Sequence, residues 1–159
     1  MIIKFTLPVQ PFSINSMYYA TRKVITSEAR EWQHDVIYAA SAPGITDLLT
    51  VFTDQFKPKE HSIAFSMIWN VPVSEFYTKN NAISGHVFDL SNIEKPLLDL
   101  LMLPKFHGNS PPQTFKNMNL DDKFVTRLHS EKRPVLGQKH SIEITFELLA
   151  KPAVHDNGN

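Results

Sequence analysis

At 159 residues the chain is long enough for one domain built on a single sizeable core. Sixteen basic and sixteen acidic residues cancel, and hydrophobic residues make up 42%, which excludes a disordered or fibrous chain and speaks against a broadly basic nucleic-acid binder. There is no cysteine, so disulfides, thiol nucleophiles and thiolate zinc sites are excluded and a cytoplasmic setting is expected. No apolar run approaches the roughly 18 residues of a membrane span, so no membrane partner is expected.

Ile3, Phe5 and Leu7 alternate with other positions, which predicts a first strand over residues 2–7 and not a signal peptide. Pro8 and Pro11 stop it, and a loop leads to Tyr18 and Tyr19, with Asn15 placed to hold that loop through an Asx turn. Ser27 is a candidate N-cap for a helix over about 28–41, ended by Pro43-Gly44, and a second, shorter helix over 46–56 would start at Thr46. Ile63, Phe65, Met67 and Trp69 alternate with small polar positions, predicting a strand over 61–71. Residues 74–84 read as loop. Val87-Phe88 reads as a short strand running into Asp89, and a helix over about 92–103 follows and ends at Pro104. The segment 105–119 shows no periodicity and reads as an insertion. A strand over 124–129, a turn over 134–139 and a last strand over 142–148 complete the domain at about residue 150, and residues 151–159 read as a frayed tail. The order predicts a single α+β domain, two main helices packed on a mixed sheet.

The chemistry lies in Asp89-Leu90-Ser91-Asn92-Ile93-Glu94-Lys95 and in the pair Asp121-Asp122 about 30 residues on. Carboxylates gathered in this way suit Mg²⁺, a hard ion that takes oxygen ligands and keeps several waters. A lysine beside them suits a bound phosphate, and Lys95 and Asp99 have the i,i+4 spacing of an ion pair. Asp121 and Asp122 would point to opposite faces of an extended chain, so one of them, Asp122 before Asp121, is expected at a metal. Basic residues fall in expected loops, among them Arg22, Lys23, Lys132 and Arg133. Each is either a solvated surface charge or a contact to a phosphate backbone. Tyr18, Tyr19 and Phe12 either stack on bases or close one end of the core. The seven histidines show no metal-ligand spacing, and there is no Gly-rich phosphate loop and no nucleophile elbow.

Three motifs in order, Pro11-x-Ser13-x-Asn15 with Tyr18-Tyr19, then Asp89-Leu90-x-Asn92-x-x-Lys95-x-x-x-Asp99, then Asp121-Asp122, resemble the RusA family of Holliday-junction resolvases. The likeness runs on through Val125, Lys132, Pro134 and Gly137 into the closing Ile-x-Ile-x-Phe strand, covering about residues 3–149. It implies a RusA-like fold and a homodimer in a bacterial or phage-infected cell that binds four-way DNA junctions and cuts them with Mg²⁺ or Mn²⁺. It further implies metal ligands at Asp89 and Asp122, or Asp121, with Lys95 acting at the scissile phosphate and Arg22, Lys23, Tyr18, Lys132 and Arg133 meeting DNA.

The match breaks at Ser91, where the family's pattern has a second aspartate. A serine removes a full negative charge from a hard-cation site, and Ser91-x-x-Glu94 reads equally as a capping box, which leaves room for a water-mediated metal contact. Glu94 and Asp99 lie one and two turns along as replacements, while His86 would point to the opposite face. The alternative reading is a catalytically impaired relative that binds branched DNA without cutting it.

Overall fold

In this computed structural model residues 1–19, 24–85, 89–102 and 118–152 are defined. Four strands form one mixed sheet: β1 (Ile2–Leu7), β2 (His61–Pro72), β3 (Val125–Val135) and β4 (Ser141–Ala150), in the spatial order β1-β4-β2-β3. β4 pairs antiparallel with both β1 and β2, whereas β3 lies parallel to β2 at the sheet edge. A parallel neighbour demands a crossover connection, and here the helix α4 (Glu94–Met102) belongs to it.

The sheet owes its core to strand alternation. Ile3, Phe5 and Leu7 of β1 sit opposite Phe146, Ile144 and Ile142 of β4, and these in turn sit opposite Phe65, Met67 and Trp69 of β2. All point to one face, where α1 (Ser27–Ala40), α2 (Pro43–Gln55) and α4 cover them with Trp32, Val36, Leu49, Phe52, Leu97 and Leu101. The other face carries Lys4, Thr6, Glu143, Thr145, Arg127, His129, Glu131 and Arg133 by the same alternation. The fold is therefore the α+β single sheet expected, with a correction: α2 is a full helix of 13 residues, so three helices and not two main ones pack on the sheet. No single described helix is long and apolar enough to cross a membrane.

Several local expectations change. Thr26, not Ser27, caps α1, its hydroxyl accepting from Ala29 N at 3.2 Å. α2 begins three residues early because Pro43 occupies its first turn, where a missing N–H costs nothing; Thr46 instead donates to Ala40 O. Residues 73–84 are not all loop: α3 (Val73–Phe76) is a single helical turn, and Tyr77 bridges Ile83 across a tight turn with Asn81 at φ 58°. β3 runs on to Val135, so Lys132, Arg133 and Pro134 belong to a strand and not to a loop or turn. A proline is tolerated there because the strand is at the edge. Lys151, assigned to a frayed tail, is bonded back: its N–H donates to Glu60 O at 2.8 Å and its Nζ to Pro58 O at 2.6 Å. The expected short strand at 87–88, the 105–117 part of the expected insertion and residues 153–159 lie outside the described residues.

Candidate functional site

The site is assembled by two 3-10 turns and one helix. Leu90–Asn92 forms the first turn, closed by Asn92 N donating to Asp89 O at 3.1 Å, and α4 follows at Glu94. Pro96 sits in the first turn of α4, where its ring is compatible with helix entry; this start signal was present in the sequence and missed. The residue ahead of α4 is Ile93, and Ser91 lies inside the 3-10 turn. The side chain of Ser91, on which the capping-box expectation rests, lies outside the described residues.

After the crossover the chain comes back onto the far end of α4. Met118 N donates to Leu101 O at 3.0 Å and Leu120 N to Met102 O at 2.9 Å, satisfying carbonyls that a helix C-terminus leaves open. The second turn, Asp122–Phe124, then lies beside the helix. Phe124 fixes it by packing edge-on against Phe56, with ring centroids 5.0 Å apart. Ser62 and Thr126 share a 2.9 Å hydrogen bond next to it, so the site stands where β2 and β3 begin.

Within this frame Lys95 Nζ bonds to Asp99 Oδ1 at 2.6 Å and to Asp122 Oδ2. The ammonium thus bridges a carboxylate from its own helix and one 27 residues away. Burial alone would pull the pKa of Lys95 down, but the hydrogen bonds to Asp122 and Asp99 outweigh it and hold the pKa above its ordinary value. The three side chains remain 35–45% exposed, open to a large ligand. Asp121 is held chiefly by Lys123, although its side chain also meets that of Asp122. It caps the second turn, accepting from Lys123 N at 2.9 Å, and pairs with Lys123 Nζ at 3.1 Å. Those two bonds lower its pKa. Asp89 is exposed and makes no capping bond to the turn it precedes.

The implied metal can be tested against these donors. Among the described residues no three His, Asp or Glu side chains converge as a metal cage. Two carboxylates nevertheless converge on one cation, the Lys95 ammonium, and Mg²⁺ is commonly held by one or two carboxylates together with substrate phosphate and water. The donor set fits that second kind of site and not a resident all-protein one.

The remaining sequence candidates divide. Arg22, Lys23 and His86 lie outside the described residues. Tyr18 and Tyr19 are half-exposed, and Tyr18 forms an antiparallel bridge with Ile25, while Phe12 takes the core reading by packing on Trp32. Ser13 rather than Asn15 holds the loop before them, accepting from Asn15 N at 3.3 Å. Arg133 pairs with Glu131 at 3.2 Å and is 46% exposed, and with Lys132 it stands near the far end of β3. Each strand residue advances about 3.3 Å, so Arg133 is about 26 Å along β3 from Val125. An acidic cleft between α1 and the chain after β1, with Glu28, Glu31 and Asp35, lies on different elements from Lys95 and would repel DNA.

A second cluster escaped sequence reasoning. Buried Trp69 donates through Nε1 to His140 Nδ1, and His140 Nε2 meets Glu75 Oε2 at 2.9 Å. Residues 71 apart carry no local pattern that joins them. No protein-family model matches this chain, and a search of curated proteins finds no relative.

Proposed function

We propose that the chain is a structure-specific endodeoxyribonuclease of the RusA type, which cuts four-way DNA junctions with Mg²⁺ or Mn²⁺ and acts as a homodimer in the cytoplasm of a bacterial or phage-infected cell. One observation carries the reading: Lys95 of the Asp-x-x-Asn-x-x-Lys segment is bonded to Asp122 of the Asp-Asp pair, so the two motifs that suggested phosphodiester chemistry meet in space.

Charge explains why a divalent ion belongs to the reading. Lys95 with Asp99, Asp122 and Asp89 sums to two net negative charges, and a phosphodiester adds a third. A divalent cation would offset two of the three, and bound there it would activate a water and stabilise the charge developing on the phosphate. Asp122 is the carboxylate best placed as its ligand, with Asp89 exposed at the start of the same segment as the second. Asp121 is engaged by Lys123 and serves the turn. Were Asp122 to hold a cation, Lys95 would keep Asp99 and would have a donor for a phosphate oxygen. Junction choice then comes from shape and backbone contacts more than from base readout.

A second reading, a binder of branched DNA that does not cut, is favoured by Ser91 and by the lack of a three-acid cage among the described residues. Cleavage of a labelled four-way junction in Mg²⁺ or Mn²⁺ separates them, with wild type, Asp89→Asn and Ser91→Asp side by side. Cutting by wild type that Asp89→Asn abolishes is the expected result. Salt-sensitive binding without cutting, with activity only in Ser91→Asp, would establish the second reading, and no junction binding at any salt would refute both.

A further inference from the structure

Residues 136–140 carry the chain from β3 across the end of β2 into β4, because β3 and β4 flank β2 and run in opposite directions. Gly137 stands at φ 146°, a backbone conformation that other residues rarely adopt, and the bend leaves Leu136 96% exposed. Val73 joins it at the surface. Val73 and Leu136 directly follow the paired residues Pro72 and Val135, and Val73 is 40% exposed. A lone surface leucine is ordinary, but this one differs in what holds it and in what surrounds it. The loop is braced where it enters β4, by the bonds of His140 to buried Trp69 and to Glu75 of α3. Between Glu131 and Glu143 the chain has three basic residues, Lys132, Arg133 and Lys139, and no acidic one, in a molecule with no net charge.

We propose that Leu136 is a wedge that enters between two bases of bound DNA while Arg133 and Lys139 hold the phosphates beside it. An apolar side chain presented among cations suits this task, since it parts a base step while the cations neutralise the backbone alongside. The same charges argue against an apolar protein partner, which would have to bury Arg133 and Lys139 together with the leucine; a polyanion takes all three. Unstacking is costly in an intact duplex and cheapest where pairing is already lost. Leu136 therefore favours branched or unpaired DNA over continuous duplex. The inference rests on the reading of the partner as branched DNA and deepens it. Arg133 stands about 26 Å along β3 from Val125, so within one subunit the wedge acts on the segment that Arg133 tracks and supplies structure selectivity apart from the chemistry at Lys95 and Asp122.

A fluorescent adenine analogue that brightens when unstacked, placed in turn along a four-way junction and along a duplex of the same sequence, reads the insertion. Wild type should brighten a defined position in the junction and none in the duplex. Leu136→Ala should abolish that signal and weaken junction binding roughly tenfold, with duplex binding unchanged, while Leu136→Met, of similar volume, should retain both. The slope of log affinity against log salt should stay the same in Leu136→Ala and fall by about one in Lys139→Ala, since only the second removes a phosphate contact. Leu136 is almost wholly exposed, so the urea unfolding curve of Leu136→Ala should match wild type, which separates a lost wedge from a damaged fold. Retention of the signal by Leu136→Ala, or junction binding as tight as wild type, would overturn the wedge, and an equal loss on duplex and junction would overturn the selectivity. The signal without cleavage keeps the wedge and refutes the nuclease, cleavage without the signal does the reverse, and no junction binding at any salt refutes both.

Discussion

The indole of Trp69 donates to Nδ1 of His140 at 3.1 Å, and this bond decides where the imidazole carries its proton. Indole is a donor only, so Nδ1 must accept and Nε2 must carry the hydrogen that faces Glu75. The link ties α3, through Glu75, to the chain entering β4, at the end of the sheet away from Lys95. His140→Ala would remove the acceptor of a buried indole N–H and should destabilise the fold by about 1–3 kcal/mol. Glu75→Gln, changing a half-exposed partner, should cost under about 1 kcal/mol. Urea unfolding of both variants checks the pair, and ¹⁵N NMR of the ring should find the proton on Nε2.

Lys95 gives stability a pH dependence of definite sign. Its folded pKa lies above the ordinary 10.5 because the bonds to Asp122 and Asp99 outweigh burial. A raised folded pKa means that its contribution is complete below 10.5 and is lost as pH rises through the folded value. The stability difference between wild type and Lys95→Met should therefore be flat around neutral pH and shrink above about pH 10.5. The pairs are substantially exposed, so that difference should be about 1 kcal/mol or less. Chemical denaturation at a series of pH values reads it, and growth of the difference in alkali would refute the assignment.

The two adjacent aspartates should separate by function. Asp122→Asn changes the partner of Lys95 and should abolish junction cleavage while leaving the fold intact. Asp121→Asn changes the cap of the turn and the partner of Lys123 and should retain cleavage. Its stability effect should have the opposite pH sense to that of Lys95: the folded pKa of Asp121 is lowered, so its contribution is present above the ordinary carboxylate value and lost as pH falls through the folded one. Cleavage rates with unfolding curves at neutral and acid pH distinguish the two variants.

What the sequence discloses follows from which interactions are local. β1, β2 and β4 are half-buried, so alternation marks them. The second half of β3 was hidden because edge strands admit charges and proline, which made Lys132 and Arg133 look like loop and Pro134 like the start of a turn. The Lys95–Asp99 pair is legible from helical spacing. The joining of Lys95 to Asp122 is not, because it depends on Met118 and Leu120 bonding back to the end of α4. Resemblance supplied a reason to look for it, but only tertiary packing brings it about.

Arg133 provides the sharpest check on how DNA would lie. It stands about 26 Å from the start of β3 in its own subunit, too far to touch the phosphate beside that subunit's Lys95, so within one subunit it serves to track the backbone of a second segment of a branched substrate. Its guanidinium is half-exposed and pairs with Glu131, an inexpensive contact to exchange for a phosphate. Arg133→Ala should therefore weaken junction binding and lower the slope of log affinity against log salt by about one, with cleavage of saturated junctions unchanged. Lys95→Ala should do the reverse, ending cleavage with little change in affinity. Fluorescence anisotropy at several salt concentrations, set beside single-turnover cleavage, measures both. Loss of cleavage at saturation in Arg133→Ala would place this end of β3 at the chemistry and overturn the geometry argued from α4 and Asp122.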